Sequence, residues 1–274
     1  LYELYKEAYM PWEWQPKLKE TAESLGLVCF SSPFDPTAVD FLEKMNVPAY
    51  KIASPEITDI PLIKYVASKG KPILISTGIA TLNDISQAVK ACREVNNNQI
   101  ALLKCTSSYP APIEEANLNT LPDIVERFDT VVGISDHTLG IVIPVTAIAL
   151  GAKIIEKHFI LDKSTETPDS KFSLDKNEFK NMVEAVRIAE DSLGSINYDL
   201  SADIKRVRQN SRSLFVVEDI KVGNEFTNEN IKSIRPGQGV PPAFIDQIIG
   251  KKATKNYKKG TPVSEDFLTC SDCE

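Results

Sequence analysis

Apolar residues fall into short runs spaced by longer segments of helical length, the rhythm of alternating strands and helices. The runs at 27–30, 49–53, 73–76, 100–105, 131–135 and 154–158 predict six strands, most of them apolar at nearly every position. Strands of that kind are buried on both faces, as in a parallel sheet covered by helices. Segments 38–45, 61–68, 83–95, 122–128, 141–152 and 177–193 supply the helices between and after them. Two further helical pieces, broken at Pro11, occupy the stretch before residue 27. No GxGxxG follows any of the strands, so a closed (β/α)8-type barrel fits this α/β rhythm better than an open dinucleotide-binding sheet.

The composition turns polar after residue 194, which predicts a barrel domain over 1–194, a linker over 195–210 and a second domain over 211–274. That second domain contains a repeat. Asp219, Ile220, Gly223, Phe226 and Ile231 recur as Asn256, Tyr257, Gly260, Val263 and Leu268 at a constant offset. Each copy is predicted as strand, glycine turn, strand and short helix, a small β-rich module. Between the copies, Arg235-Pro236-Gly237-Gln238-Gly239 makes a stiff exposed turn.

Charge changes the picture only by exclusion. The 274 residues carry a net charge of −7 without a Lys/Arg-rich block, which argues against nucleic acid or an anionic membrane as partner. No run approaches transmembrane length and no charged-then-apolar leader opens the chain, so a cytoplasmic protein is expected. Of the five cysteines, Cys29 and Cys105 fall in strand-like runs, Cys92 in a helix-like one, and Cys270 and Cys273 form a lone CxxC, weak evidence for zinc.

The chain has two histidines, His137 and His158, and both end predicted strands joined by one predicted helix. A right-handed crossover sets such strands side by side. Both rings then stand at the carboxyl end of the sheet, where α/β folds gather their chemistry, spaced for one metal ion. Either alone reads equally as a core or surface histidine. Lys51 ends a buried run and hydroxyls cluster in the loops after the strands, which suits a phosphate or carboxylate substrate. Glu56 and Asp169 are acid–base candidates whose alternative is a solvated carboxylate.

The phrases PAYKIASPE, KPILISTG, LLKCTSSYP, GISDHTLG and IIEKHF, then TPDSKFSLD and IRPGQG, resemble the sialic acid synthase family over nearly the whole chain. MPWEW, SSPFDPTAVDFLE and SLFVVEDI are most similar to its pseudaminic acid branch, which makes a nonulosonate of bacterial flagella and surface glycans. The resemblance implies a TIM barrel followed by an antifreeze-like (SAF) domain. It also implies condensation of phosphoenolpyruvate with an amino-hexose, the enol carbon attacking the open-chain aldehyde before phosphate leaves. By the same resemblance His137 and His158 hold a divalent ion, manganese foremost, with magnesium or cobalt as alternatives. Lys51, Ser32, Ser54, Ser76, Ser107 and Ser135 surround phosphoenolpyruvate; the catalytic candidates Glu56, Tyr109 and Asp169 lie toward the sugar with Phe172. Arg235 caps the site of a neighbouring subunit in a domain-swapped homodimer.

The sequence departs from the family at its start. A first strand bearing AEIG and a second bearing a KFQ-type lysine have no counterpart here. The expectation is a barrel lacking its first two βα units, without a glutamate near the metal and a phosphate-binding lysine, and inactive in this form. Three other readings stand beside this one: a legionaminic or N-acetylneuraminic acid synthase, a metal-dependent barrel hydrolase, and a non-catalytic sugar-binding relic.

Overall fold

The computed structural model describes Lys6 and residues 9–268. The chain divides into two compact units between Gly194 and Ser195. In the first, five parallel strands lie in chain order: β1 (Tyr50–Ile52), β2 (Ile73–Ser76), β3 (Ile100–Cys105), β4 (Val131–Asp136) and β5 (Ile154–Lys157). Helices α1 (Gln15–Ser24) and α2 (Pro36–Lys44) precede β1. The helices α3 (Ile60–Ala67), α4 (Leu82–Glu94), α5 (Thr120–Phe128) and α6 (Val142–Ala149) make the crossovers, and α7 (Lys176–Leu193) follows β5.

Alternation along the strands sorts the two faces of the sheet. Tyr50, Ile52, Ile75, Leu102, Val132 and Ile134 enter one buried core with helix residues such as Val39, Leu62, Val89 and Ile124. The register sets Ser76 beside Leu103, Cys105 beside Ser135, and Ser135 beside Glu156, so the opposite face turns polar toward its carboxyl end. Helix starts are fixed by local chemistry. Asp35 accepts from the backbone N–H of Thr37 and Ala38 at the start of α2, and Thr81–Asp84 and Asp175–Glu178 form capping boxes on α4 and α7.

The segment 27–30, predicted as the first strand, forms no ladder. Only Ser31 bridges Tyr50, with the Lys51 N–H donating to Ser31 O at 3.2 Å. Leu27 and Val28 are 61% and 73% exposed. Past β5, a single parallel bridge joins Phe159 to Leu174, which the sequence pattern did not foresee.

The second unit opens with α8 (Ala202–Arg208), capped by Ser201 within the stretch expected to be linker. It continues with β6 (Ser213–Val216) paired antiparallel to β7 (Ile231–Ile234). The two repeat copies are interlocked by reciprocal bonds. Ile220 and Tyr257 exchange N–H···O bonds of 2.9 and 2.8 Å, and Gly223 N–H donates to Ala253 O as Gly260 N–H donates to Val216 O. Asn256 Oδ1 accepts from Val222 N–H while Asp219 Oδ1 accepts from Lys259 N–H, each at 2.9 Å. Gly223 and Gly260 both take positive φ, 83° and 89°, which side chains rarely adopt. The predicted strands of each copy are here mostly single bridges around a core of Val216, Ile220, Phe226, Tyr257, Val263 and Phe267. Cys270 and Cys273 lie outside the described residues. Among the described residues no helix is long and apolar enough to cross a membrane.

Candidate active site

His137 follows β4 and His158 follows β5, and in-register pairing of Asp136 with Lys157 brings the two rings to 5.2 Å between centroids. His137 is 6% exposed, and its Nδ1 lies 3.0 Å from the Thr106 carbonyl oxygen. His158 Nδ1 faces Asp169 Oδ2 at 3.4 Å. A carbonyl oxygen only accepts, so His137 carries its proton on Nδ1 and presents a lone pair on Nε2, while the Asp169 carboxylate stands beside Nδ1 of His158. Burial pushes the His137 pKa down from 6.5, and the neighbouring His158 adds to this, which keeps the imidazole neutral. Imidazoles with an oxygen facing Nδ1 fit a divalent cation, and this pair could hold one in part, leaving positions for water and substrate. Among the described residues no group of three His, Cys, Asp or Glu side chains converges on one point. Tyr109 and Phe172 close around the pair, with centroids 4.5 Å from His137 and 4.9 Å from His158 respectively.

The same polar face carries a cation. Lys51 Nζ on β1 reaches Glu156 Oε1 on β5 at 3.0 Å, and the Ser135 hydroxyl donates to that oxygen at 2.6 Å. Beside it, Ser54 Oγ accepts from the Ile79 N–H at 2.9 Å and from the Ser107 hydroxyl at 3.2 Å. Gly78 makes room for this pair: a Cβ there would stand 2.1 Å from Ser107 Oγ and 2.7 Å from Ser54 Oγ. Ser76 Oγ is buried without a hydrogen-bond partner, as is Glu56 Oε2. Desolvation raises the Glu56 pKa above 4.5, with Asp59 adding to it. Ser135 on β4 lies two residues before His137, so the lysine–hydroxyl centre and the histidine pair form one site.

The structure thus brings together Lys51, Ser54, Ser107, Ser135, Tyr109, His137, His158, Asp169 and Phe172. The Ser32 hydroxyl is instead turned to the backbone, donating to Lys51 O at 3.2 Å. Arg235 is exposed in the second unit. Glu156, Gly78 and the orienting carbonyl of Thr106 were not singled out from sequence. Glu156 could have been: it lies two residues before His158, hence on the same face of the strand.

Comparison with known proteins then decides the family. The NeuB family model matches residues 1–198, and the SAF domain model matches 211–269. The chain belongs to the NeuB family. Among its relatives, pseudaminic acid synthase of Helicobacter pylori is 48% identical over 98% of this chain and 79% of its own length. The Campylobacter jejuni pseudaminic acid synthase is 46% identical over 97% of this chain and 77% of its own. A crystal structure of the Bacillus subtilis spore coat polysaccharide biosynthesis protein SpsE, 33% identical, superposes with a TM-score of 0.65, covering 96% of this chain and 79% of that one. These NeuB relatives agree with a parallel barrel-type sheet followed by a SAF module.

Proposed function

We propose that this NeuB-family chain belongs to a pseudaminic acid synthase. The reaction joins phosphoenolpyruvate to a 2,4-diacetamido-2,4,6-trideoxy hexose, giving a nine-carbon nonulosonic acid and phosphate. C3 of the enol forms the new bond to the sugar aldehyde carbon, water adds at C2, and the C2–O bond to phosphate breaks. The observation that carries this reading is the meeting of Lys51 and the hydroxyls of Ser54, Ser107 and Ser135 with a pair of histidines at the polar end of one sheet. Identity of 46–48% to pseudaminic acid synthases supports the choice of branch.

In this reading Lys51, Ser54, Ser76, Ser107 and Ser135 bind the carboxylate and phosphate of phosphoenolpyruvate, the lysine by charge and the hydroxyls by direction. The partnerless Ser76 hydroxyl gains an acceptor when substrate binds. Glu156 holds Lys51 in place until the anion arrives. Tyr109 and Phe172 wall the sugar side and exclude water, and Asp169 orients His158. Glu56, whose burial favours the protonated acid, would pass a proton to the sugar oxygen as the bond forms. A divalent ion, manganese foremost, held by His137 and His158 would supply Lewis-acid polarisation of the aldehyde. A homodimer in which Arg235 reaches the neighbouring subunit completes the reading.

Phosphate release by the intact gene product tests it, with manganese, phosphoenolpyruvate and, in turn, the pseudaminic, legionaminic and N-acetylneuraminic precursor sugars. Release with the first sugar alone is expected. Release with another sugar alone moves the protein to that branch, and release with none favours the sugar-binding relic.

A further inference from the structure

The two imidazoles project from one face of the sheet, and the group that fixes their spacing lies on the other. Lys157, the residue before His158, has a fully buried side chain, and that of Asp136, the residue before His137, is 2% exposed. Their Nζ and Oδ2 stand 2.6 Å apart. The same ammonium donates to the Thr138 carbonyl oxygen, and the Thr138 N–H donates to Asp136 Oδ1 at 2.9 Å. One lysine therefore grips the residues on both sides of His137 from a position next to His158.

Such a pair is a poor investment in stability, because desolvation offsets most of the Coulomb attraction and apolar residues of similar volume usually hold a fold as well. What it supplies is direction. Three hydrogen bonds with fixed angles set the turn 136–138 against the end of β5, where apolar packing would leave it free to shift. We propose that Asp136 and Lys157 are positioning residues that set the distance between the Nε2 atoms of His137 and His158 for one divalent ion. This rests on the reading that the pair holds a metal.

The test is Mn2+ affinity, read from loss of the free-ion electron paramagnetic resonance signal, in the intact protein and three variants. Asp136→Leu with Lys157→Met replaces the clamp by apolar residues, Asp136→Asn keeps its shape without the charge, and His137→Ala removes a proposed ligand. The double variant should fold and bind Mn2+ about 10- to 100-fold more weakly, the usual effect of losing groups that orient metal ligands. In the metal-free protein the imidazole nitrogen spectrum of His137 should also lose its single Nδ1–H tautomer. Wild-type affinity and tautomer in a folded double variant would overturn the clamp. Should that variant not fold, unchanged affinity in Asp136→Asn overturns it instead. Undiminished binding by His137→Ala defeats the metal reading, a different result from either.

Discussion

Lys51 and Glu156 stand on the two outermost strands of the five-stranded sheet, yet their side chains meet at 3.0 Å. In a flat sheet four strand spacings would hold them about 19 Å apart, beyond the reach of both side chains together. The contact therefore reports a sheet curled strongly toward its polar face, as in a barrel. It also leaves a cation poised where an anionic substrate would enter.

Replacing that cation should be felt in substrate binding before stability. Lys51→Met is expected to raise the KM for phosphoenolpyruvate by about 10- to 100-fold, since hydrogen bonds to charged groups are worth about 1.5–3 kcal/mol. Steady-state phosphate release across phosphoenolpyruvate concentrations measures it, and an unchanged KM would remove Lys51 from the site.

Glu56 offers a test by pH. Its folded pKa is raised above 4.5 by desolvation. The folded chain then binds the proton more readily than the unfolded one, so this contribution to stability is complete below pH 4.5 and lost as pH rises through the folded value. Glu56→Gln cannot ionise. It should melt higher than the parent at pH 7.5, because it removes the cost of ionising a partly buried carboxyl. At pH 4 the two should melt together. The same variant should lose phosphate release, stability and activity moving in opposite directions.

Gly78→Ala should disable the site while sparing the fold. The added carbon would force Ser107 and Ser54 apart, whereas overpacking of this kind costs only about 1–3 kcal/mol. Phosphoenolpyruvate binding, followed by titration calorimetry, is expected to weaken at least 10-fold with thermal melting still cooperative. Normal binding would show that the hydroxyl pair is not part of the anion site.

Arg235 tests the proposed homodimer. Mixing Arg235→Ala subunits with His137→Ala subunits should restore phosphate release above either homodimer, because a mixed dimer would hold one site with both residues intact. No recovery after exchange of subunits, checked by mass, would count against a residue supplied in trans.

Much of the first unit was legible because a buried strand announces itself. The runs at 73–76 and 100–105 coincide with β2 and β3, and the crossover rule alone made neighbours of His137 and His158. The segment 27–30 has the same apolar composition, but a strand also needs neighbours, which composition does not record. Helix α8 was hidden for the opposite reason. Ile204 and Val207 are 51% and 62% exposed, so no apolar stripe marks it, only the Ser201 cap and local ion pairing. Within the site, Glu156 was passed over because a carboxylate next to a lysine reads as surface. Which way the Ser32 hydroxyl turns depends on a rotamer that no pattern encodes.

The interlocked bonds of the second unit carry a consequence for its origin. Val222 and Gly223 N–H find acceptors at Asn256 Oδ1 and Ala253 O, as Lys259 and Gly260 N–H find them at Asp219 Oδ1 and Val216 O, so neither copy satisfies all of its turn donors alone. A gene encoding one copy would have had to work as a symmetric pair of chains, and fusing two such genes would have turned a concentration-dependent association into an intramolecular one. The halves differ at Asp219 and Asn256, yet each of these side chains accepts the equivalent backbone bond from the other half.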